Sequence, residues 1–138
     1  MNMPKDLWLF LKKMINLIFK NKNLTIKDAL KVIDKSQNKV IFFQNKKKQL
    51  ISSLTDGDIR RSIIGGKSIL DDAFSISNQN PIYIKITDKK KIKTQNLLKR
   101  FKDYFIPIVD HNKRVIDVIK PIHAKKNLNY CDVLILAG

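Results

Sequence analysis

Cysteine, histidine, glycine and proline are all scarce in this chain of 138 residues. Cys131 is the single cysteine, which excludes a disulfide framework and a cysteine-rich zinc site. The two histidines, His111 and His123, argue against a dedicated transition-metal site. Four glycines and four prolines exclude collagen-like and low-complexity classes. No apolar run approaches the roughly 18 residues of a spanning helix, so we expect no membrane span.

Acidic residues are also few, and the net charge is strongly positive. There are 12 Asp and Glu against 28 Lys and Arg, which gives a formal charge of +16. Such a charge attracts nucleic acid, anionic lipid or phosphorylated ligands. The cations are almost all lysines and are spread along the chain beside abundant Ile and Asn, which is also typical of general compositional drift. Both interpretations stay open here.

Apolar residues in the first stretch follow helical spacing, and lysines take the opposite side. We therefore expect an N-terminal amphipathic helix, assigned to residues 1–21, that packs on its own domain or on a partner subunit, with a membrane surface as the alternative. Lys12 and Lys13 interrupt the apolar segment that a secretory signal requires, and we expect a cytoplasmic location. The apolar positions are Leu7, Phe10, Leu11, Met14, Leu17 and Ile18.

The chain then contains a duplicated pattern of strands and helices, assigned to residues 22–76 and 77–126. Polar turns between apolar runs predict a hairpin in each copy. The first copy has a helix from Thr25, strands at 39–43 and 50–54, and a helix from Thr55 with Ile59 and Ile63 facing inward, ended by Gly65 and Gly66. The second copy has strands at 82–86, 105–109 and 115–119 and a helix with Leu97, Leu98 and Phe101.

The duplication predicts the fold class, which is α/β (α+β) with two β-α-β-β-α repeats packed as a pseudo-twofold pair. Phe43 is matched with Val109 and Thr55 with Lys120, so the first hairpin turn is predicted to be one residue longer. The chain ends in an apolar run that meets Gly138, typical of a buried parallel strand entering a phosphate-binding loop. We interpret residues 127–138 as a linker and the first strand of a further, truncated domain.

The segment around Thr55 combines groups that can hold a nucleotide. A helix start offers free backbone N–H groups and a positive dipole end to an anion. The Thr55 hydroxyl can bond phosphate or ribose, and the Asp58 carboxylate can accept both ribose hydroxyls. Gly57 permits close approach to the backbone, and Arg60 and Arg61 can bind phosphates. Thr-x-x-Asp is equally the spacing of an ordinary capping box, so the spacing alone leaves both interpretations open.

The position of this motif in the duplication resembles a tandem pair of CBS (cystathionine-beta-synthase) domains, or Bateman module, over about residues 22–124. The family's motif is a strand ending in Gly-x-x-Thr-x-x-Asp-Ile, matched by residues 50–61, and its apolar-Pro-Val-Val-Asp strand is matched by residues 105–110. The longer string from Leu54 to Arg61 resembles CBS pairs that precede a sugar-phosphate nucleotidyltransferase domain. The end of the chain, Val133 to Gly138, is similar to the start of that catalytic domain.

The resemblance implies a ligand and its contacts. CBS pairs bind adenosine-containing ligands, so Thr55 and Asp58 would contact phosphate and ribose, while Val40, Ile41 and Ile82 would enclose the base. The chain departs from the motif where Ser52 and Asp117 replace its glycine. In the second copy Lys120 replaces the threonine and His123 the aspartate, so ordinary ribose binding there is not expected, although Lys120 can still attract a phosphate.

We therefore expect a regulatory, non-catalytic module that senses a nucleotide and holds two chains together as a homodimer. AMP, ADP or ATP is the expected type of ligand, no cofactor is required, and a nucleotidyltransferase that makes a nucleotide sugar is the expected downstream domain. Nucleic acid ranks below a nucleotide as the expected partner. The alternatives are a basic nucleic-acid-binding module and a purely structural dimerisation module with degenerate clefts.

Overall fold

Two three-stranded sheets of the same topology organise the chain, one in each of two structural units. In a computed structural model these are unit 1, Met1–Pro81, and unit 2, Ile82–Gly138. The structure describes residues 16–19, 23–36, 38–88, 90–102 and 104–120. In each sheet the first strand runs parallel to the second, and the second and third form an antiparallel hairpin. This is the mixed α and β architecture that the duplication predicts.

Unit 1 places its core between two helices and one face of its sheet. The side chains of Ile26, Ala29 and Ile33 recur at helical spacing and are buried against the sheet. On the sheet, Ile41 and its cross-strand partner Leu54 are fully buried on the same face. The elements of unit 1 are β1 (Asn16–Phe19), α1 (Ile26–Lys35), β2 (Val40–Gln44), β3 (Leu50–Thr55) and α2 (Asp56–Ile64), followed by a 3-10 turn at Phe74–Ile76.

The first strand of unit 1 corrects the expected N-terminal helix over residues 16–19. This segment pairs in parallel with β2, with Leu17 opposite Phe42. The Asn16 side-chain amide also donates to the Asn38 and Val40 carbonyls, which fixes the strand beside the start of β2. Leu17 and Ile18 suit either a helix or a strand, and the sheet pairing decides the outcome. The rest of the expected helix lies outside the described residues.

The inward side of α2 also differs from the expectation. Ile59 is 1% exposed and belongs to the core, whereas Ile63, one turn later, is 39% exposed. Gly65 and Gly66 follow the helix as expected, and Gly66 has a φ of +101°, which favours glycine.

Unit 2 repeats the arrangement with a shorter first strand. The expected strand at 82–86 is confined to Ile84–Lys85, because the chain turns at Asp88, whose carbonyl accepts from Lys91 N and Thr94 Oγ1. Its elements are β4 (Ile84–Lys85), a 3-10 turn at Ile86–Asp88, α3 (Ile92–Arg100), β5 (Ile106–Val109) and β6 (Val115–Ile119). The expected last helix of this copy and the expected terminal strand lie outside the described residues.

The two hairpins share one turn chemistry, which corrects the expected difference in turn length. Lys48 and Lys113 both have a φ of 64°, and the Asn45 and Asp110 side chains each accept two backbone N–H bonds. Both strands shift register at the same place, so Phe43 corresponds to Ile108 rather than to Val109. The one-residue difference between the copies lies between the first and second strands, because Ile18 pairs with Phe43 in unit 1 and Ile84 with Ile108 in unit 2.

Candidate functional site

The start of α2 is closed by two side chains that bond to each other's backbone. Thr55 is extended, at φ −106° and ψ 164°, and its Oγ1 accepts from Asp58 N at 3.2 Å. In return Asp58 Oδ2 accepts from Thr55 N at 2.9 Å and from Thr55 Oγ1 at 2.8 Å. One carboxylate oxygen of Asp58 is therefore committed to the capping box.

The other oxygen of Asp58 holds Arg61. Arg61 Nη2 donates to Asp58 Oδ1 at 2.6 Å, while the Arg61 side chain stays 72% exposed. The guanidinium lies across Gly57, where an added Cβ would come within 3.2 Å of Nη1. The missing side chain at Gly57 thus accommodates Arg61 in this arrangement, a relation that the sequence analysis did not foresee.

A second ion pair joins Arg60 to Asp56 at 2.7 Å, with exposed fractions of 70% and 44%. Exposed pairs of this kind contribute about 0–1 kcal/mol, so either arginine can leave its carboxylate at small cost. Asp56 was not among the predicted site residues. Its spacing of four residues from Arg60 on one helix is the signal that could have revealed it.

The same capping box occurs at the start of α1, in different surroundings. Thr25 Oγ1 accepts from Asp28 N at 3.1 Å, and Asp28 Oδ2 accepts from Thr25 N at 3.3 Å. Hydrogen bonds from the side chain and then the backbone of Thr25 lower the pKa of Asp28 below its ordinary value. The next two amides, of Ile26 and Lys27, donate to carbonyls of the 69–71 loop at 2.9 Å and 2.8 Å. The chain itself therefore covers this helix start.

The start of α2 is less covered. Among the described residues, the Asp56 amide alone in its first turn meets a main-chain carbonyl from outside the helix, that of Lys39 at 3.4 Å. A depression of about 380 Å³ lies beside it and falls within the size range of small-molecule sites. Its lining is Leu30, Lys31, Ile33, Asp34, Lys39 and Asp56.

The predicted apolar contacts of unit 1 lie next to the motif along the sheet. Val40 is the cross-strand partner of Thr55, and Ile41 that of Leu54. Their side chains are 4% and 0% exposed, and Ile41 belongs to the core. Unit 1 thus brings Thr55, Gly57, Asp58, Arg60, Arg61 and the backbone of Val40 and Ile41 into one region.

Ser52, which stands where the family's motif has glycine, is fully buried. Its Oγ accepts from Ser77 Oγ at 2.9 Å, so its hydroxyl has a partner inside unit 1. Beside it, Ser53 and Asn78 exchange two backbone hydrogen bonds of 3.1 Å and 2.7 Å. The serine therefore joins β3 to the segment that follows the 3-10 turn.

The other predicted residues lie in unit 2. Ile82 is 39% exposed, and Lys120 directly follows β6 and is half-buried. His123 lies outside the described residues. No cluster of metal-ligating side chains occurs in the part of the chain that the structure describes, and no helix there is long and apolar enough to cross a membrane.

The fold matches solved structures of CBS domain proteins. A CBS domain protein from Pyrobaculum aerophilum, complexed with AMP, is 17% identical, with coverage of 88% of this chain and 92% of that chain and a TM-score of 0.64. OpuCA from Staphylococcus aureus is 23% identical over 80% of this chain and 90% of that chain, with a TM-score of 0.61.

A CBS domain pair in complex with 5′-methylthioadenosine and S-adenosyl-L-methionine is 19% identical, covers 99% of this chain and 100% of its own, and has a TM-score of 0.63. At these identities the likeness shows the fold, which is that of a CBS domain pair. The sequence matches no protein-family model and no curated protein.

Proposed function

We propose that the chain is a regulatory, non-catalytic module that senses an adenine nucleotide at the start of α2 in unit 1. The fold supports the proposal, since one similar structure is complexed with AMP and another with 5′-methylthioadenosine and S-adenosyl-L-methionine. The observation that carries it is the contrast between two identical capping boxes. The box at Thr25 is covered by loop carbonyls, whereas Asp56, which lies inside the box at Thr55, lines a depression whose other lining residues are Lys39 and the later turns of α1.

Binding exchanges partners at Asp58. The ribose hydroxyls take the place of Arg61 on Asp58 Oδ1, and the Thr55 hydroxyl bonds ribose or phosphate. Arg61, once released, turns to the phosphate, where its guanidinium forms charge-assisted hydrogen bonds. Arg60 can follow from Asp56 in the same way. Both arginine side chains are largely exposed, so each can leave its carboxylate at small cost, although Asp58 itself is 24% exposed.

The other predicted residues are proposed as further contacts of the ligand, each within its own unit. Val40 and Ile41, whose side chains are buried, are proposed to contact the base through their main chain in unit 1, and Ile82 is proposed as an apolar contact in unit 2. Lys120 is proposed to attract a phosphate in unit 2. No cofactor is required for this function, because binding alone transmits the signal.

The experiment is a thermal-shift titration with AMP, ADP and ATP. We expect one of them to raise the melting temperature, with a stabilisation of about 2.7 kcal/mol at a hundred times Kd. Asp58→Ala should abolish the shift, and Asp28→Ala, which removes the same kind of cap at α1, should retain it. No shift with any ligand, or equal loss in both variants, contradicts the proposal.

We also propose that the chain forms a homodimer. Ile64 and Leu70 are 80% and 71% exposed, and apolar surface of this kind suits contact with a second copy. Sedimentation without ligand should show a dimer that Ile64→Glu weakens, and a monomer at all concentrations would refute it.

We further propose that the module regulates a sugar-phosphate nucleotidyltransferase, on the similarity of residues 54–61 and 133–138 to such proteins. The coding sequence downstream of Gly138 tests this directly. Gly-x-Gly-Thr-Arg is expected after the apolar run that meets Gly138, and an unrelated sequence there would refute it.

A further inference from the structure

A groove of about 860 Å³ lies in unit 2 where β4 leads into the first turns of α3. Four exposed lysines line it, and Asp88 is the single carboxylate among its described lining residues. The lysines are Lys85, Lys90, Lys91 and Lys93.

Asp88 neutralises one of these four cations. Lys91 Nζ lies 2.7 Å from Asp88 Oδ1, and this hydrogen bond lowers the pKa of Asp88, so the carboxylate stays ionised and paired. Lys85, Lys90 and Lys93 form no ion pair within the described residues. The groove therefore carries three uncompensated positive charges.

The basic surface continues away from the groove. The Lys113 ammonium lies 5.3 Å from the centre of the Tyr83 ring, which lines the groove, so a further cation stands beside it. Along α3 itself there are three cations and no acidic residue, whereas α1 carries Asp28 and Asp34 among its lysines. Positive charge is thus concentrated in this part of unit 2.

We propose that this groove binds the phosphate backbone of a single-stranded nucleic acid without reading its sequence. Lysines are flexible point charges that neutralise phosphates but do not form the bidentate contacts that identify bases. The Tyr83 ring has Lys113 over one face, which limits base stacking to the other. A compact anion would need fixed donors, and these lysines are exposed. A membrane would need exposed apolar residues within the groove, but its two aliphatic lining residues are covered, since Ile84 is 3% exposed and Leu97 half-buried.

The first experiment is fluorescence anisotropy with a labelled single-stranded oligonucleotide of mixed sequence at several salt concentrations. The variant Lys85→Gln, Lys90→Gln, Lys93→Gln should bind at least about tenfold more weakly. Its slope of log K against log salt should be less steep by about 2, since each phosphate contact contributes about 0.7. The matched variant Lys27→Gln, Lys35→Gln, Lys47→Gln removes the same charge from exposed positions of unit 1 and should bind nearly as the wild type does. Equal losses in the two variants would overturn the proposal.

Further measurements distinguish a nucleic-acid backbone from the other ligands that the groove could bind. Scrambling the oligonucleotide sequence should leave the affinity unchanged, and a strong sequence preference would overturn backbone recognition. Tripolyphosphate that displaces the oligonucleotide at micromolar concentration would show a compact anion site instead, and binding to anionic vesicles without binding to the oligonucleotide would show a membrane surface. Asp58→Ala should leave oligonucleotide binding intact, so this site and the nucleotide site of unit 1 can fail independently.

Discussion

At Thr25 and at Thr55 one pair of side chains begins a helix in two different surroundings. The local chemistry is the same, because a hydroxyl and a carboxylate three residues apart satisfy each other's backbone amides in both places. The groups around the box differ, since loop carbonyls contact the start of α1 and ion-paired arginines lie at the start of α2. A capping box is therefore compatible with ligand binding only where the fold leaves the adjoining surface uncovered.

Asp28 gives a test of this local chemistry through pH. Because its pKa is lower in the folded chain than in the unfolded chain, its ionised form stabilises the fold. That contribution is complete above the unfolded-state pKa and is lost as the pH falls through the folded-state pKa. Asp28→Asn should therefore flatten the acid side of a plot of melting temperature against pH. Asp34→Asn on the same helix is the control, and an Asp28→Asn curve parallel to the wild type would contradict the assignment.

Among the elements, α2 offers a pair of isoleucines one turn apart with different burial. Ile59→Ala should lower the free energy of unfolding by about 2–5 kcal/mol, because it leaves a cavity in the core. Ile63→Ala should cost less than about 1 kcal/mol, because its side chain is already 39% exposed. Urea denaturation of both variants measures the difference. Similar costs would mean that Ile63 is as buried as helical spacing alone predicts.

Elements with local signals could be predicted from the sequence, and those stabilised by distant pairing could not. The hairpins and the start of α2 follow from turn residues and a capping pair. β1 could not be recognised, because four residues within an apolar pattern of helical spacing become a strand only through pairing with β2. Similarly, helical spacing places Ile63 on the same side of α2 as Ile59. It does not predict how far along α2 the buried contacts with the sheet extend.

The candidate site likewise combines contacts that the sequence predicts with contacts that only the folded structure shows. The spacing of Thr55 and Asp58 predicted their contact, which the structure contains. The partners of the two arginines could have been assigned from spacing, because Asp56 lies four positions before Arg60, Asp58 lies three before Arg61, and Gly57 occupies the alternative position for both. The space over Gly57 that Arg61 occupies depends on the path of a side chain, for which the sequence carries no signal.

For the whole molecule, a net charge of +16 on 138 residues sets the response to salt. Like charges repel in the folded chain and salt screens them, so moderate sodium chloride should raise the melting temperature. Screening also weakens the surface ion pairs, but each contributes only about 0–1 kcal/mol. Calorimetry at increasing salt measures the balance. A melting temperature that falls from the lowest salt upward would show that the attractive pairs prevail.

The duplicated units also differ in charge. At helix starts related by the duplication, unit 1 has Thr25 and Asp28, and unit 2 has Lys91 and Thr94. The same helix start thus carries a carboxylate in one copy and a lysine in the other. The start of α2, with Asp58, also belongs to unit 1, so the acceptor that sugar hydroxyls need lies in unit 1 and the cations that a phosphate backbone needs lie in the groove of unit 2.

The parallel pairing of β1 with β2 has a practical consequence for any fragment that is shortened from the N-terminus. A fragment begun at residue 22 would discard the strand that covers one margin of β2. The main-chain groups from Val40 to Gln44 would then be open to any other extended peptide, in a segment as apolar as Val-Ile-Phe-Phe. A fragment that begins no later than Asn16 keeps β1 paired along that edge of β2. Residues 16–21 therefore decide whether the fragment stays in solution or aggregates.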